Sequence, residues 1–270
     1  MLTSMDDLVK ALASRPIIPI YKASATAKAS GSFQSLWRVA GYPAAGNIPA
    51  SGNGEIPTKN TVGALNFTNA VVGKDLYLGK LGLQSSTAGT FMLYDRLWTN
   101  SGLSGAVTTP QTFTMPSLTR HTDAVGVEAY VEIYTATGAT AVTATINYTN
   151  SDGVSGRTGT ASIVASPAVG QMFPFSLASG DYGVKSIQSV TLSATTGTAG
   201  NFGLTLLKRK AEIPLPSANI GTVLDAISLG LPPILNDSCL AFMVLTTTTN
   251  TGNFTGTTCI IEGWFYVSLL

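Results

Sequence analysis

The sequence predicts an all-β protein, an antiparallel, jelly-roll-like β-sandwich preceded by an N-terminal helical and extended arm. Three observations predict it. Between residues 125 and 207, one segment after another alternates apolar and polar positions with a period of two. Long polar connections, such as 99–123, suit a Greek-key or jelly-roll path better than a meander. Outside residues 4–14 and 222–229, no stretch carries a helical signal.

Taken in order, Ser4 caps a short helix running to about residue 14. Asp6 and Asp7 lie in its favourable first turn, Met5, Leu8, Val9 and Leu12 form an apolar stripe, and Pro16 stops it. A helix of ten or so residues is marginal alone, so this one needs a docking surface. Residues 1–35 are therefore read as an arm and 36–270 as the sandwich, with Met5, Leu8, Val9 and Leu12 as partner-binding residues. From 41 to 59 the composition turns to Gly, Pro, Asn and Ala, a loop long enough to be functional or adaptable.

Strands are expected at 63–67, 76–83 and 90–98. In 127–134, Val127, Ala129, Val131 and Ile133 fall on a core face, and Glu128, Tyr130, Glu132 and Tyr134 on a wet one. Residues 141–148 follow after a Thr-Ala-Thr-Gly-Ala connection that reads as a hairpin loop. A turn at Asn150-Ser-Asp-Gly153 precedes strands near 157–164, 172–177, 184–194 and 202–210. The last two strands, 240–245 and 260–267, are apolar on both faces, so each is either covered on both sides or packed on another chain. Trp264 and Tyr266 join the partner-binding set on that ground.

Composition narrows the function classes. Only 11% of the 270 residues are charged, less than half the roughly 25% of ordinary soluble domains. A surface so poor in charge suits a component of an assembly. The net charge of +1 leaves no electrostatic footprint for nucleic acid or an anionic membrane, so neither is expected as a partner. The first ten residues hold Asp6, Asp7 and Lys10 with no apolar core behind a basic start, unlike a secretory signal, and synthesis in the cytoplasm is expected. No run reaches the roughly 18 apolar residues of a membrane helix; an outer-membrane barrel ending at Trp264-Phe-Tyr-Val-Ser-Leu-Leu270 is the weaker rival.

Chemistry is sparse. His121, the sole histidine, has Asp123 close by, but no nucleophile elbow accompanies them and a surface position is expected. Asn150, Asp152 and Gly153 lack the downstream glutamate of a calcium loop. Glu128 and Glu132 would stand about 13 Å apart on a regular strand, too far for a glycosidase pair. The stripe that they form with Tyr130 and Tyr134 leaves a glycan platform open. Lys208, Arg209 and Lys210 read as a strand end in water or an ion pair with a neighbour. Cys239 and Cys259, on the arms of an expected final hairpin, read as buried free thiols, with a cross-strand disulfide open if the register opposes them. No catalytic, cofactor-binding or metal residue is expected, and no enzyme activity.

Three passages carry a resemblance: Leu93-Tyr-Asp-Arg-Leu-Trp-Thr-Asn-Ser-Gly-Leu103, Ile146-Asn-Tyr-Thr-Asn-Ser-Asp-Gly-Val-Ser-Gly-Arg157 and Ser179-Gly-Asp-Tyr-Gly-Val-Lys-Ser-Ile-Gln-Ser-Val-Thr-Leu-Ser193. They resemble virion structural proteins of tailed bacteriophages, a group that includes jelly-roll cement or decoration proteins of the head. The resemblance spans residues 90–210 and rests on turns and strand patterns. It implies a virion location and no catalytic residues. The expected partners are the major capsid protein or other virion proteins and further copies of this chain, most simply as a homotrimer. Within that group, a neck, tail or fibre component, including an adhesin for a host glycan, is the alternative to a cement protein that bridges shell subunits.

Overall fold

A computed structural model describes residues 4–27 and 29–263. The first quarter holds helix α1 (Met5–Ser14) and strands β1 (Ile18–Lys22), β2 (Phe33–Ser35) and β3 (Gly41–Tyr42). Two eleven-residue strands follow, β4 (Asp75–Ser85) and β5 (Gly89–Thr99), then β6 (Gln111–Thr112), β7 (Val127–Thr135) and β8 (Val142–Asn150). Next come β9 (Arg157–Ile163), β10 (Gln171–Pro174), β11 (Val184–Leu192) and the fifteen-residue β12 (Asn201–Leu215). The chain ends through β13 (Thr222–Leu224), helix α2 (Ala226–Leu229), β14 (Pro233–Ile234), β15 (Leu240–Thr246) and β16 (Phe254–Gly263).

The all-β expectation holds, and every ladder between these strands is antiparallel. Their arrangement differs from a two-layer sandwich. A closed barrel, β10-β2-β15-β5-β12-β7, stands between a first sheet, β13-β4-β16-β1-β3 with β14 on β4, and a second sheet, β6-β11-β8-β9. One core joins the first sheet to the barrel, with Leu78, Leu83 and Phe254 against Phe91, Ile213 and Phe242. The other joins the second sheet to the barrel's opposite side, with Ile146, Ile163 and Val190 against Val131, Phe202 and Leu204.

Among the described residues, β8 and β9 are the only strands consecutive in sequence that pair with each other. The turn read at 150–153 joins them, with Gly153 N–H donating to the Asn150 carbonyl at positive φ. The hairpin expected between β7 and β8 does not form, because β7 enters the barrel and β8 the second sheet. Gly138 explains the misreading: a Cβ there would sit 1.7 Å from the Thr196 carbonyl oxygen. That glycine permits a close crossing of two loops rather than a tight turn. Likewise β15 and β16, read as one final hairpin, belong to the barrel and the first sheet. Residues 63–67 contribute only an isolated bridge, Leu65 to Leu240.

Strands β5 and β12 serve both cores along their length, and each carries a bulge. Leu97 has no ladder partner, so Leu97 and Trp98 both reach the core of the second sheet, whereas Phe91 and Leu93 serve that of the first. Lys210 is the matching extra residue in β12; before it Leu204 and Leu206 face one core, and after it Ala211 and Ile213 face the other.

The long loops are pinned down. Trp37 and Trp98 donate their indole N–H groups to Asn47 and Asn53 of the 41–60 loop, and Glu55 bridges to Thr99. Lys22 is buried and caps the same loop, donating to the carbonyls of Val39, Pro43 and Ala44. Burial lowers its pKa to about 8.

Candidate functional site

Helix α1 forms where the sequence places it. The Ser4 hydroxyl accepts from Asp7 N–H at 3.2 Å, as an N-cap should. The apolar stripe is wider than its docking surface. Leu8 and Leu12 turn inward onto Tyr77, Cys259 and Ile261 on the outer face of the first sheet, together with Ala226 of α2. Gly79 lets the helix approach, since a Cβ there would lie 2.8 Å from Leu12 Cδ2. Arg15 pairs with Glu262 to fix the helix end. Met5 and Val9 remain 60% and 57% exposed. Of the sequence-predicted set, then, Leu8 and Leu12 are occupied by the chain itself, Met5 and Val9 are free, and Trp264 and Tyr266 lie outside the described residues.

Register shows what surrounds the helix. One row across the outer face runs Pro19, Thr257, Gly82 and Val223, and another runs Tyr42, Tyr21, Thr255 and Gln84. Neither row holds a charged residue. Tyr21, Tyr42 and Val223 are exposed, as is Ile227 on α2 beside α1. Residues 18–22 and 33–35 of the expected arm are thus strands of the body, and the element that lies on the surface is α1.

The face of β7 expected to be wet instead lines the barrel. Glu132 is 1% exposed and accepts from Arg96 Nη2 at 2.6 Å, from the Tyr134 hydroxyl at 3.0 Å and from the Thr205 hydroxyl at 2.9 Å. Burial alone would push the carboxyl up; Arg96 and the hydroxyls of Ser35 and Thr205 outweigh it and hold it below its ordinary range. Glu128 accepts from Tyr130, Tyr94 and Arg209 at the barrel's other end. Alternation reads identically for a solvated strand and for one lining a barrel with polar contents, so the sequence could not separate them. Both acids are thus engaged by donors of the chain itself.

A second cluster sits where residues 113–126 cross the barrel wall. Asp95 is fully buried and accepts from Arg120 Nε and Nη2, from the Ser238 hydroxyl and from Cys239 N–H, at 2.8 to 3.2 Å. His121 is not the surface residue expected: its Nε2 stands 3.8 Å from Asp95 and 2.8 Å from Lys210 Nζ. Burial, reinforced by Lys210, lowers the His121 pKa to about 4, and burial lowers Lys210 to about 8. Lys210 is therefore no strand end in water; Arg209 does make ion pairs, within the chain, to Glu128 and Glu212.

Cys239 and Cys259 are buried free thiols in separate clusters. Among the described residues no group of three or more His, Cys, Asp or Glu side chains could hold a metal ion, and no helix is long and apolar enough to cross a membrane. At the 150–153 turn, Asn150 and Tyr148 donate to Asp181, as does Arg157, whose hydrogen bond is the main reason the Asp181 carboxyl titrates at about 2.

No protein-family model and no curated protein matches the chain. Among solved structures it is similar to a chain of infectious bursal disease virus Gt strain, at 11% identity, 92% coverage of this chain, 81% of that chain and a TM-score of 0.19. It is also similar to one of the Gx strain (11%, 92% and 80%, TM-score 0.21) and to the same virus's VP2 subviral particle (11%, 92% and 80%, TM-score 0.19). Likeness of that size carries no inference about fold or function.

Proposed function

We propose that this chain is a structural subunit of a virus particle, and specifically a cement protein of a tailed-bacteriophage head that seats the outer face of its first sheet on neighbouring shell subunits. One observation carries the reading: exposed Tyr21, Tyr42 and Val223 stand on two charge-free rows of a sheet face whose next row holds exposed Lys80, beside a helix whose free half, Met5 and Val9, is apolar. Exposed apolar side chains gathered on one weakly charged face mark an interaction site. The low charge content and the resemblance of residues 90–210 to tailed-phage virion proteins support the same assignment. Further copies complete the assembly as a homotrimer. No chemistry is assigned to the chain, whose buried acids serve its own packing.

Co-sedimentation with heads lacking the protein tests the proposal. Replacing Met5 and Val9 with lysine leaves the docked side of α1 intact and should reduce head binding at least about tenfold, the equivalent of roughly 1.4 kcal/mol. Removing residues 1–14 should do the same without disturbing the sheets, whereas removing 1–35 would take out β1 and β2 and unfold the body. Full binding by the lysine variant would overturn the proposal. Light scattering should give three times the chain mass of 27.9 kDa.

A further inference from the structure

Six arginines occur in the chain, and five of them meet a carboxylate: Arg15, Arg96, Arg120, Arg157 and Arg209. Arg38 does not. Its single hydrogen bond runs from Nη1 to the Tyr134 carbonyl at 2.9 Å, which leaves most of its five N–H donors free of protein partners. It lines a groove of about 580 Å³ at the rim of the barrel, between the 23–26 segment, the end of β2 and the 167–170 loop. Among the described residues no acidic side chain lines that groove, so the Arg38 charge faces it with no carboxylate in its lining.

The rest of the lining narrows the ligand. Gln34, 1% exposed, forms part of the floor; its amide nitrogen donates to the Val169 carbonyl at 2.7 Å, and its Oε1 has no donor. A buried acceptor left unpaired costs about 1–3 kcal/mol, and an N–H group offered from the groove, met by a turn of the Gln34 amide, would relieve that cost. The walls are small, with Ala23, Ala25, Ala40 and Ala168 among them, and among the described residues no aromatic ring lines the groove for a pyranose to stack on. A ligand that combines a carboxylate with amide N–H groups and little bulk is an acidic peptide.

We infer that the groove at Arg38 receives an aspartate or glutamate, carried on an extended segment of a neighbouring subunit, through a bidentate guanidinium–carboxylate pair. The neighbour rests on the proposed virion role, whereas the peptide chemistry rests on the groove alone. Such pairs supply geometric selectivity as well as attraction, and an amide in place of the carboxylate loses both.

The test titrates the full chain, followed by NMR, with acetyl-Ala-Glu-Ala-amide, its Gln counterpart and glucuronate at low salt. The Glu peptide should bind with a Kd on the order of 1–10 mM, and the Gln peptide and glucuronate at least about tenfold more weakly. Arg38→Gln should abolish the response. Ala40→Glu, at an exposed position on the groove wall, supplies a competing carboxylate without touching the Tyr134 contact and should abolish it too. Equal binding of the Glu and Gln peptides, tighter binding of glucuronate, or no binding by any probe at about 50 mM would each overturn the inference. Peptide binding by a chain that fails to sediment with heads would sink the virion role and leave the peptide site standing. Sedimentation without peptide binding would do the reverse.

Discussion

At Glu132 and Arg96, two charges are buried inside a barrel and paired at 2.6 Å, with Arg96 Nε left without an acceptor. Removing one partner strands the other, so Glu132→Gln or Arg96→Met should each cost about 3–5 kcal/mol in urea denaturation. The double change Arg96→Met with Glu132→Leu should return most of that loss, because an apolar pair needs no charge compensation. His121 gives a pH signature. An unfolded histidine titrates near 6.5, and the folded ring, desolvated and facing Lys210, titrates at about 4. The folded state therefore binds fewer protons between those values, and stability present above pH 6.5 is lost as the pH falls towards 4. Partial exposure reduces the effect to on the order of 1–2 kcal/mol. Stability of His121→Gln measured at pH 7 and pH 4.5 should fall by that much less than wild type. None of this was legible beforehand, since Arg96 and Glu132 are 36 residues apart and only the closed barrel brings them together.

Among the elements, α1 was legible down to its cap because its signals are local: Ser4, two acids, a stripe and Pro16. The strands β4, β5, β7, β8 and β11 were also legible, since alternation or an apolar run marks a strand wherever it goes. Pairing was not. Gly138 looks like a turn and is a crossing point, and the bulges at Leu97 and Lys210 are invisible without the partner strand. Gly79 offers a clean test at this scale. Gly79→Val should lift α1 from the first sheet, because Leu12 occupies the space. Limited proteolysis should then cut near residues 15–17, while both cores keep their protection from hydrogen exchange.

On the scale of the whole molecule, two cores lie on opposite sides of one barrel and share β5 and β12. Neither sheet can open without unsettling strands that the other core needs. Leu78→Ala in one core and Ile146→Ala in the other should each cost about 2–5 kcal/mol, and each should shift one common unfolding transition rather than split it in two. Two separated transitions by calorimetry would contradict the shared-strand account. The same pair of strands sets a load path. Strands β5 and β12 run side by side through ten paired positions from Thr205 opposite Thr99 to Leu215 opposite Gly89. A pull directed along their axes strains that ladder in shear, with many hydrogen bonds resisting at once, whereas a pull across them opens it one bond at a time. Tension along the axes of β5 and β12 is therefore shared by the whole ladder at once.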